Sequence, residues 1–403
     1  MAPLSVADAL ARVLEDVHPL APVDVPLSEA CGRVLATDLA AKRTQPPAAV
    51  SAMDGYAVRA GDLAAIPARL KVIGEVPAGK PFQHSVATGE AVRIFTGGVL
   101  PQGADTVVIQ EHTGREGDIV VINRTGVPGK NIRPQGLDFK EGEVLFRRGH
   151  RLTARDLALV AAMNYPTISV HRAPRLALFS TGDELVAPGT APGPGQIVYS
   201  NGFALVALMR AEGAEVIDLG IVRDLRDETT AGIRRASDAN ADVLVTTGGA
   251  SVGDYDLVQD ALASEGMALS FWRIAMRPGR PFMHGRLGVM HVLGMPGNPV
   301  SSYVCALLFL VPLIRKLVGR ADLEPELEEA LLGRDLPAND ERQDYLRATL
   351  TRQSGGTLVA TPFAVQDSSI MSQLALADCL VLREPHAPAA KSGTPCKIVK
   401  LEF

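Results

Sequence analysis

The apolar positions change texture along the chain, and the changes divide it. Short apolar runs at 176–179, 216–219, 242–245 and 289–293 read as buried strands. Between and after them, 201–211, 228–236 and 257–262 read as helices. Strand alternating with helix predicts a doubly wound α/β domain with a mostly parallel sheet over 174–320. Over 46–144 the runs are shorter, at 70–73, 91–95, 106–109 and 119–122, and Gly and Pro punctuate them closely, which predicts an inserted β-rich domain. The first 45 residues read as helix, turn, short helix and a brief strand at 33–36, with Ser5 capping the first helix and Asp8 three residues on. An amphipathic helix over 152–163, capped by Thr153, is expected to pack back on that N-terminal helix, so that 1–45 with 145–173 form one elongated domain. Residues 188–195 read as a surface loop and the charged stretch 320–327 as a linker. Strands at 345–350 and 380–382 predict a small C-terminal β-barrel over 325–403.

Bulk properties exclude several classes. A chain of 403 residues with 47% hydrophobic content has material for two to four cores. A net charge of −5, 4% aromatic residues and the single Trp272 supply neither a basic stripe nor a stacking surface, so no nucleic-acid partner is expected. Cys31, Cys305, Cys379 and Cys396 are widely spaced, without CxxC, which argues against structural zinc and fits a reducing cytoplasm. The N-terminus lacks a signal-peptide pattern, and the apolar run 304–314, interrupted by Pro312, is too short for a bilayer and reads as a core helix. His284 and His291 lie on or beside strands and read as structural.

The chemistry concentrates in two loops. TTGGASVGDYD at 246–256 joins a strand to a helix, a geometry that offers backbone N–H groups and a helix start to an anion. Gly248, Gly249, Ser251 and Gly253, with the Thr247 hydroxyl, form a candidate phosphate cradle; Asp254 and Asp256 suit a divalent cation beside it. The same loop also reads as an ordinary turn with acidic caps. GMPGNPVSS at 294–302 is the second loop, with Asn298 as N-cap and Pro299 at the first helical position. Loops at the carboxyl ends of neighbouring strands face one crevice, where open α/β sheets bind ligands.

GGASVGDYD, RPGRPF at 277–282 and GMPGNPVSS together resemble the molybdopterin molybdotransferase family, which includes bacterial MoeA and the gephyrin E domain. SAMDGYA at 51–57, GEVPAG at 74–79, IFTGG at 94–98 and STGDEL at 180–185 match the family's motifs in order. The resemblance implies an enzyme of molybdenum cofactor biosynthesis that transfers molybdenum from molybdate to adenylylated molybdopterin and releases AMP. It also implies magnesium, a four-part layout and an elongated homodimer, with a molybdopterin adenylyltransferase as a possible upstream partner. Two further readings stand beside it. One is an adenylyltransferase, which needs only the α/β domain; the other is a non-catalytic scaffold.

The resemblance assigns roles to particular residues. Asp256 is the first candidate for metal and acid chemistry, with Glu184, its neighbour Asp183, and Asp224 also available at the crevice. Pro296, Gly297, Asn298 and Pro299 shape the wall beside the cradle. Asp54 and Thr96, and more weakly Asp138, match functional positions in the β-rich domain and bear on the crevice only if that domain reaches it, for instance across a dimer interface. Arg277 and Arg280 are the cationic element for the oxyanion, where the family has Lys, and Ser301, Arg347 and Ser372 correspond to further oxyanion contacts. A second departure is Pro46-Pro47-Ala48-Ala49-Val50, where the family has an aromatic and an Asn.

Overall fold

The computed structural model describes residues 3–248 and 257–401. The central α/β unit has one six-stranded sheet, in the order Glu215–Val222, Arg175–Thr181, Val243–Thr247, Met290–Met295, Met283–Leu287, Ala268–Phe271. The first four strands are parallel and the last two antiparallel. The antiparallel edge arises because Met283–Leu287 and Met290–Met295 are joined by only two residues, Gly288 and Val289, too few for a crossover.

Each central strand feeds two cores, because successive side chains point to opposite faces. Leu176, Leu178, Val243, Val245 and Leu293 pack with Leu205, Leu208 and Met209 of the helix Asn201–Ala211 and with the apolar helix after 299. Ala177, Phe179, Leu244 and Val292 pack on the other side against Ile233, Ala236, Val258, Ala261 and Leu262. These come from the helices Arg226–Asp238 and Leu257–Ser264. The stretch Pro299–Leu317 is one continuous helix of 19 residues whose apolar window is 83% buried, so it is the spine of the first core. Its middle, Ala306–Leu310, opens into a wider π turn just ahead of Pro312, which has no N–H to return to residue 308.

The N-terminal region departs from expectation. Val6–Val13 is a helix with Ser5 accepting from the Asp8 N–H, but its buried face, Val6, Ala9, Leu10 and Val13, joins the α/β core. The second helix, Ala154–Ala162, has a full capping box between Thr153 and Asp156 and packs elsewhere, through Val160, against Val25, Leu35, Leu39, Phe139 and Phe146. Both helices are amphipathic, and the pattern alone does not say which surface each apolar stripe meets. The expected turn and short helix resolve into a strand, Pro22–Pro26, paired with Thr167–His171, and a 3₁₀ turn at Leu27–Glu29. The brief strand at 33–36 reduces to single bridges at Val34 and Leu35. Pro22–Pro26 carries two prolines and a mostly exposed pattern, which hid it.

Residues 55–122 form a six-stranded sheet in the order Thr106–Ile109, Gly55–Val58, Glu90–Ile94, Ala68–Val76, Ile119–Ile122, Thr113–Glu116. Gly55–Val58 and Thr113–Glu116 were not anticipated as strands. At the C-terminus Gln343–Arg352, Leu358–Pro362, Leu327–Leu332, Pro395–Lys400 and Cys379–Arg383 close into a barrel when the first pairs with the last. Met276–Arg277 adds itself in parallel to Gln343–Arg352, so the barrel is stitched to the α/β unit by backbone as well as by side chains.

The charged linker before the barrel is also anchored. Glu212, 5% exposed, accepts from the Arg315 guanidinium at 2.8 and 2.9 Å and from Arg320 at 2.9 Å. Without Glu212 the Arg315 guanidinium loses its carboxylate, whereas Arg320 keeps Asp322; stranding one member of a buried pair costs about 3–5 kcal/mol. Glu212→Ala is therefore expected to lower the unfolding free energy by about 3 kcal/mol in a denaturant titration; a loss below about 1 kcal/mol, ordinary for a surface change, would count against this anchor.

Candidate functional site

The strands Arg175–Thr181, Val243–Thr247 and Met290–Met295 pair in register, so Ser180 lies beside Thr247 and Thr247 beside Met295. Their carboxyl ends therefore stop at one level, and the Ser180 and Thr247 hydroxyls hydrogen-bond there. The loops that leave this edge enclose a cleft of about 660 Å³. One wall holds Thr181, Gly182, Glu184 and Asp224; the floor holds Thr247 and Gly248. The opposite wall holds Pro296, Gly297, Asn298, Pro299 and Ser301. Tyr199, Ser200, Asn201, Pro281, Ser369 and Met371 complete the lining.

Gly248 is required by the backbone. Its φ is +85°, and a Cβ there would run into the Thr181 carbonyl, so the chain can turn this closely only with glycine. Gly279 does similar work in the 277–281 turn: φ is +112° and a Cβ would meet the Cys305 sulfur. That seats the turn on the core helix and brings Pro281 to the cleft.

The acidic wall is electrostatically crowded. The Asp183 carboxylate accepts from the Asp224 N–H at 3.3 Å. Burial raises the Asp224 carboxyl above the ordinary carboxylate range, and the charges of Asp183 and Glu184 raise it further. Among the described residues no three His, Cys, Asp or Glu side chains converge as a ready-made metal cage.

The proline wall is held from two sides. The Asn201 Nδ2 donates to the Gly297 carbonyl at 2.7 Å. Asn298 occupies the N-cap position, but its side chain makes no cap bond and instead donates to the Ser368 hydroxyl at 2.9 Å. The Val300 N–H donates to the Ser368 carbonyl at 3.1 Å.

The cationic candidates lie around this cleft rather than in its lining. Arg277 bonds to the buried Asp344, to Asp340 at 3.4 Å and to Asn339 at 3.3 Å, at the seam with the barrel. Arg280 is exposed and makes no ion pair among the described residues. Arg347 is 1% exposed; its guanidinium donates to the carbonyls of Ile370 and Asp367, both at 2.9 Å, and burial lowers its pKa. Ser372 sits in the short helix Met371–Ala375, next to the lining Met371. Asp54 and Thr96 meet each other in the β-rich domain, off this cleft: the Thr96 N–H and hydroxyl donate to Asp54 at 2.7 and 2.8 Å. Those two bonds, the N–H first, lower the Asp54 pKa. Asp138 is in neither group. Gly249, Ser251, Gly253, Asp254 and Asp256 lie outside the described residues.

Sequence reasoning missed Tyr199, Asn201, Ser369 and Met371. Asn201 carried a signal as a helix start, but nothing in the pattern said that its amide would reach Gly297. His284 and His291 are buried side by side, with Nε2 and Nδ1 3.4 Å apart, and burial lowers their pKa values to about 4 and about 3. They are neutral core residues at ordinary pH.

Fold and cleft define a multidomain α/β protein that takes a small ligand where parallel strands end, flanked by β-rich and barrel domains. Three family descriptions cover the chain: "MoeA N-terminal region (domain I and II)" at 4–164, "Probable molybdopterin binding domain" at 177–316 and "MoeA C-terminal region (domain IV)" at 329–401. A molybdopterin molybdenumtransferase of Nostoc sp. is 41% identical over 81% of this chain and 76% of its own length. That of Haemophilus influenzae is 34% identical over 97% of this chain and 96% of its own. The crystal structure of the molybdopterin biosynthesis moeA protein from Pyrococcus horikoshii OT3 superimposes with a TM-score of 0.83 at 30% identity, covering 99% of this chain and all of the other. The chain belongs to the molybdopterin molybdenumtransferase family.

The crowded Asp224 yields a test. Its carboxyl holds a proton more tightly folded than unfolded, so ionising it destabilises the fold. That cost is absent below about pH 4 and grows as pH rises through the raised folded value. Asp224→Asn is expected to stabilise the protein at neutral pH and to lose this advantage towards about pH 3. Melting curves across that range check it; an advantage independent of pH would show that the carboxylate is not crowded.

Proposed function

We propose that the cleft binds adenylylated molybdopterin, receives molybdenum from molybdate and releases AMP. The observation that carries this reading is the cleft itself: carboxylates on one wall face a glycine floor and a proline-shaped helix start, in a chain that matches its family in all three regions. The matched regions outside the α/β unit favour this reading over an adenylyltransferase. Gly248 lets backbone approach the pterin phosphate, and the Thr181 and Thr247 hydroxyls can donate to it. Arg280 and Arg277 attract the oxyanion, with Arg347, Ser301 and Ser372 as further oxyanion contacts. The buried Arg347 guanidinium hydrogen-bonds to carbonyls, with the Asp367 carboxylate acting on its charge from nearby.

Magnesium fits the acidic wall. Asp224 and Glu184, with Asp256 of the neighbouring loop, would hold it, since the repulsion that raises Asp224 is relieved by a divalent cation. The ion would supply charge neutralisation at the pyrophosphate. A site with few protein ligands leaves room for phosphate oxygens and water. The chain's own residues orient the phosphates and place the carboxylates beside the scissile bond.

Asp54 and Thr96 belong to this site through a homodimer, in which the partner's β-rich domain covers the cleft. The same reading makes the protein a cytoplasmic enzyme, with an adenylyltransferase as a partner supplying its substrate.

Purified protein with adenylylated molybdopterin, molybdate and magnesium is expected to release AMP, and Glu184→Gln and Asp224→Asn to slow release on the order of a hundredfold. Full activity in both variants would remove the acidic wall from the chemistry. Arg280→Ala is expected to raise half-saturating molybdate without loss of stability, whereas Arg277→Ala also destabilises, because it strands the buried Asp344. Unchanged molybdate saturation in both would put the oxyanion elsewhere. Mixed Asp54→Ala and Asp224→Ala chains should recover part of the activity that each lacks alone; no recovery after verified subunit exchange would defeat the shared site.

A further inference from the structure

Asp54 and Thr96 stand at one end of the β-rich sheet, and the register explains why. Gly55 pairs with Ile94 on one side and with Ile109 on the other, so the loops at Asp54, Thr96 and Gln110 all leave the sheet at the same level. Arg93, one residue back from that edge on the strand Glu90–Ile94, reaches across to it. Its guanidinium donates to the Gly55 carbonyl at 3.1 Å and to the Gln110 Oε1 at 2.6 Å. The Gln110 N–H in turn donates to the Asp54 carbonyl at 3.1 Å. Two successive carbonyls, Asp54 and Gly55, are thus held, one through Gln110 and the other by Arg93 directly.

The arginine is itself fixed. Its guanidinium carbon lies 5.2 Å from the centre of the buried Tyr56 ring and 4.9 Å from that of Phe95, within cation–π range of both. Its donors go to neutral oxygens rather than to a carboxylate. The Asp54 carboxylate, meanwhile, is only half used. Its Oδ1 accepts both Thr96 bonds, while Oδ2 makes no hydrogen bond among the described residues. The Thr96 bonds do most to keep the Asp54 pKa low, and the Arg93 charge works in the same direction. Asp54 is exposed, and an exposed turn needs no such bracing for its own stability.

We infer that Arg93 is a positioning residue for Asp54: it holds the main chain at Asp54 and Gly55 so that the free carboxylate oxygen is presented at a fixed place to the partner's cleft. The inference rests on the shared-site reading above, in which Asp54 completes the cleft of the other protomer. Arg93 acts there through Asp54. A displaced catalytic group loses transition-state stabilisation more than ground-state binding, so kcat carries the loss.

The test uses the full-length protein with adenylylated molybdopterin, molybdate and magnesium. Arg93→Gln removes the charge and the two-pronged grip. It is expected to lower the kcat of AMP release about tenfold, with KM within about twofold. In an Asp54→Asn background it should add nothing, since its effect passes through Asp54. Arg93→Lys keeps the charge without the fork, so its kcat should stay low. In the ligand-free protein, carboxyl NMR should show the Asp54 titration moved upward in Arg93→Gln and left in place in Arg93→Lys. Gln110→Ala, at an exposed position, breaks the same relay and should lower kcat in the same way, which keeps the test decisive if Arg93→Gln fails to fold. Unchanged kcat in these variants, losses that add to that of Asp54→Asn, or an Asp54 titration indifferent to Arg93→Gln would overturn the inference. Full activity in Asp54→Asn would defeat the shared site alone, and the titration would still decide whether Arg93 governs Asp54.

Discussion

The cleft depends on one constraint: three parallel strands paired in register, so that Ser180, Thr247 and Met295 end at the same level. In a parallel sheet every crossover returns to the starting edge, so the loops that leave the other edge are free of chain-reversal duty and can gather there. The acidic loop at 183–184, the glycine turn at 248 and the proline wall at 296–299 meet because of that register. A shift of one residue in any pairing would send side chains fitted to one core into the other and move a loop out of the cleft. Both hydrophobic cores hold the register, since neighbouring residues such as Leu178 and Phe179 are committed to opposite sides.

The remaining domains are attached to this sheet in ways that serve the cleft. The N-terminal helix Val6–Val13 is part of the α/β core, so it anchors the start of the chain there. The barrel is joined by the Met276–Arg277 backbone pairing, by the Arg277–Asp344 ion pair and by the Glu212 anchor on Arg315 and Arg320. Its loop at 366–371 then forms one side of the cleft mouth. The site is therefore polarised. Crowded carboxylates line one wall, a glycine turn lies on the floor, and the Arg277 and Arg280 cations stand outside the lining, Arg277 at the barrel seam.

The electrostatics show where stability has been given up. Asp224 is raised by burial and by Asp183 and Glu184, an arrangement that offers the fold nothing in isolation. Buried charges with no structural use concentrate at functional sites. The His284 and His291 pair makes the contrast: more deeply buried than Asp224, it is simply neutral, with lowered pKa values.

Much of this was legible in the residues. Apolar runs marked the four parallel strands, and turn chemistry picked out Gly248 and 296–299, which line the cleft. The order of motifs from Ser51 to Ser302 pointed to the family, because each motif carries a backbone or charge requirement that few substitutions meet. Gly248 is one such case, where the turn tolerates no Cβ. Tertiary structure alone decided how amphipathic faces were matched: Val6–Val13 went to the α/β core and Ala154–Ala162 to another, although both stripes look alike in sequence. It also decided which polar side chains act together. Asn298 looks like a helix cap and Arg277 like a free cation. Their partners, Ser368 and Asp344, are separated from them by about seventy residues of chain. Periodicity reports a residue's own surroundings along one element, whereas a contact across domains depends on how whole surfaces pack.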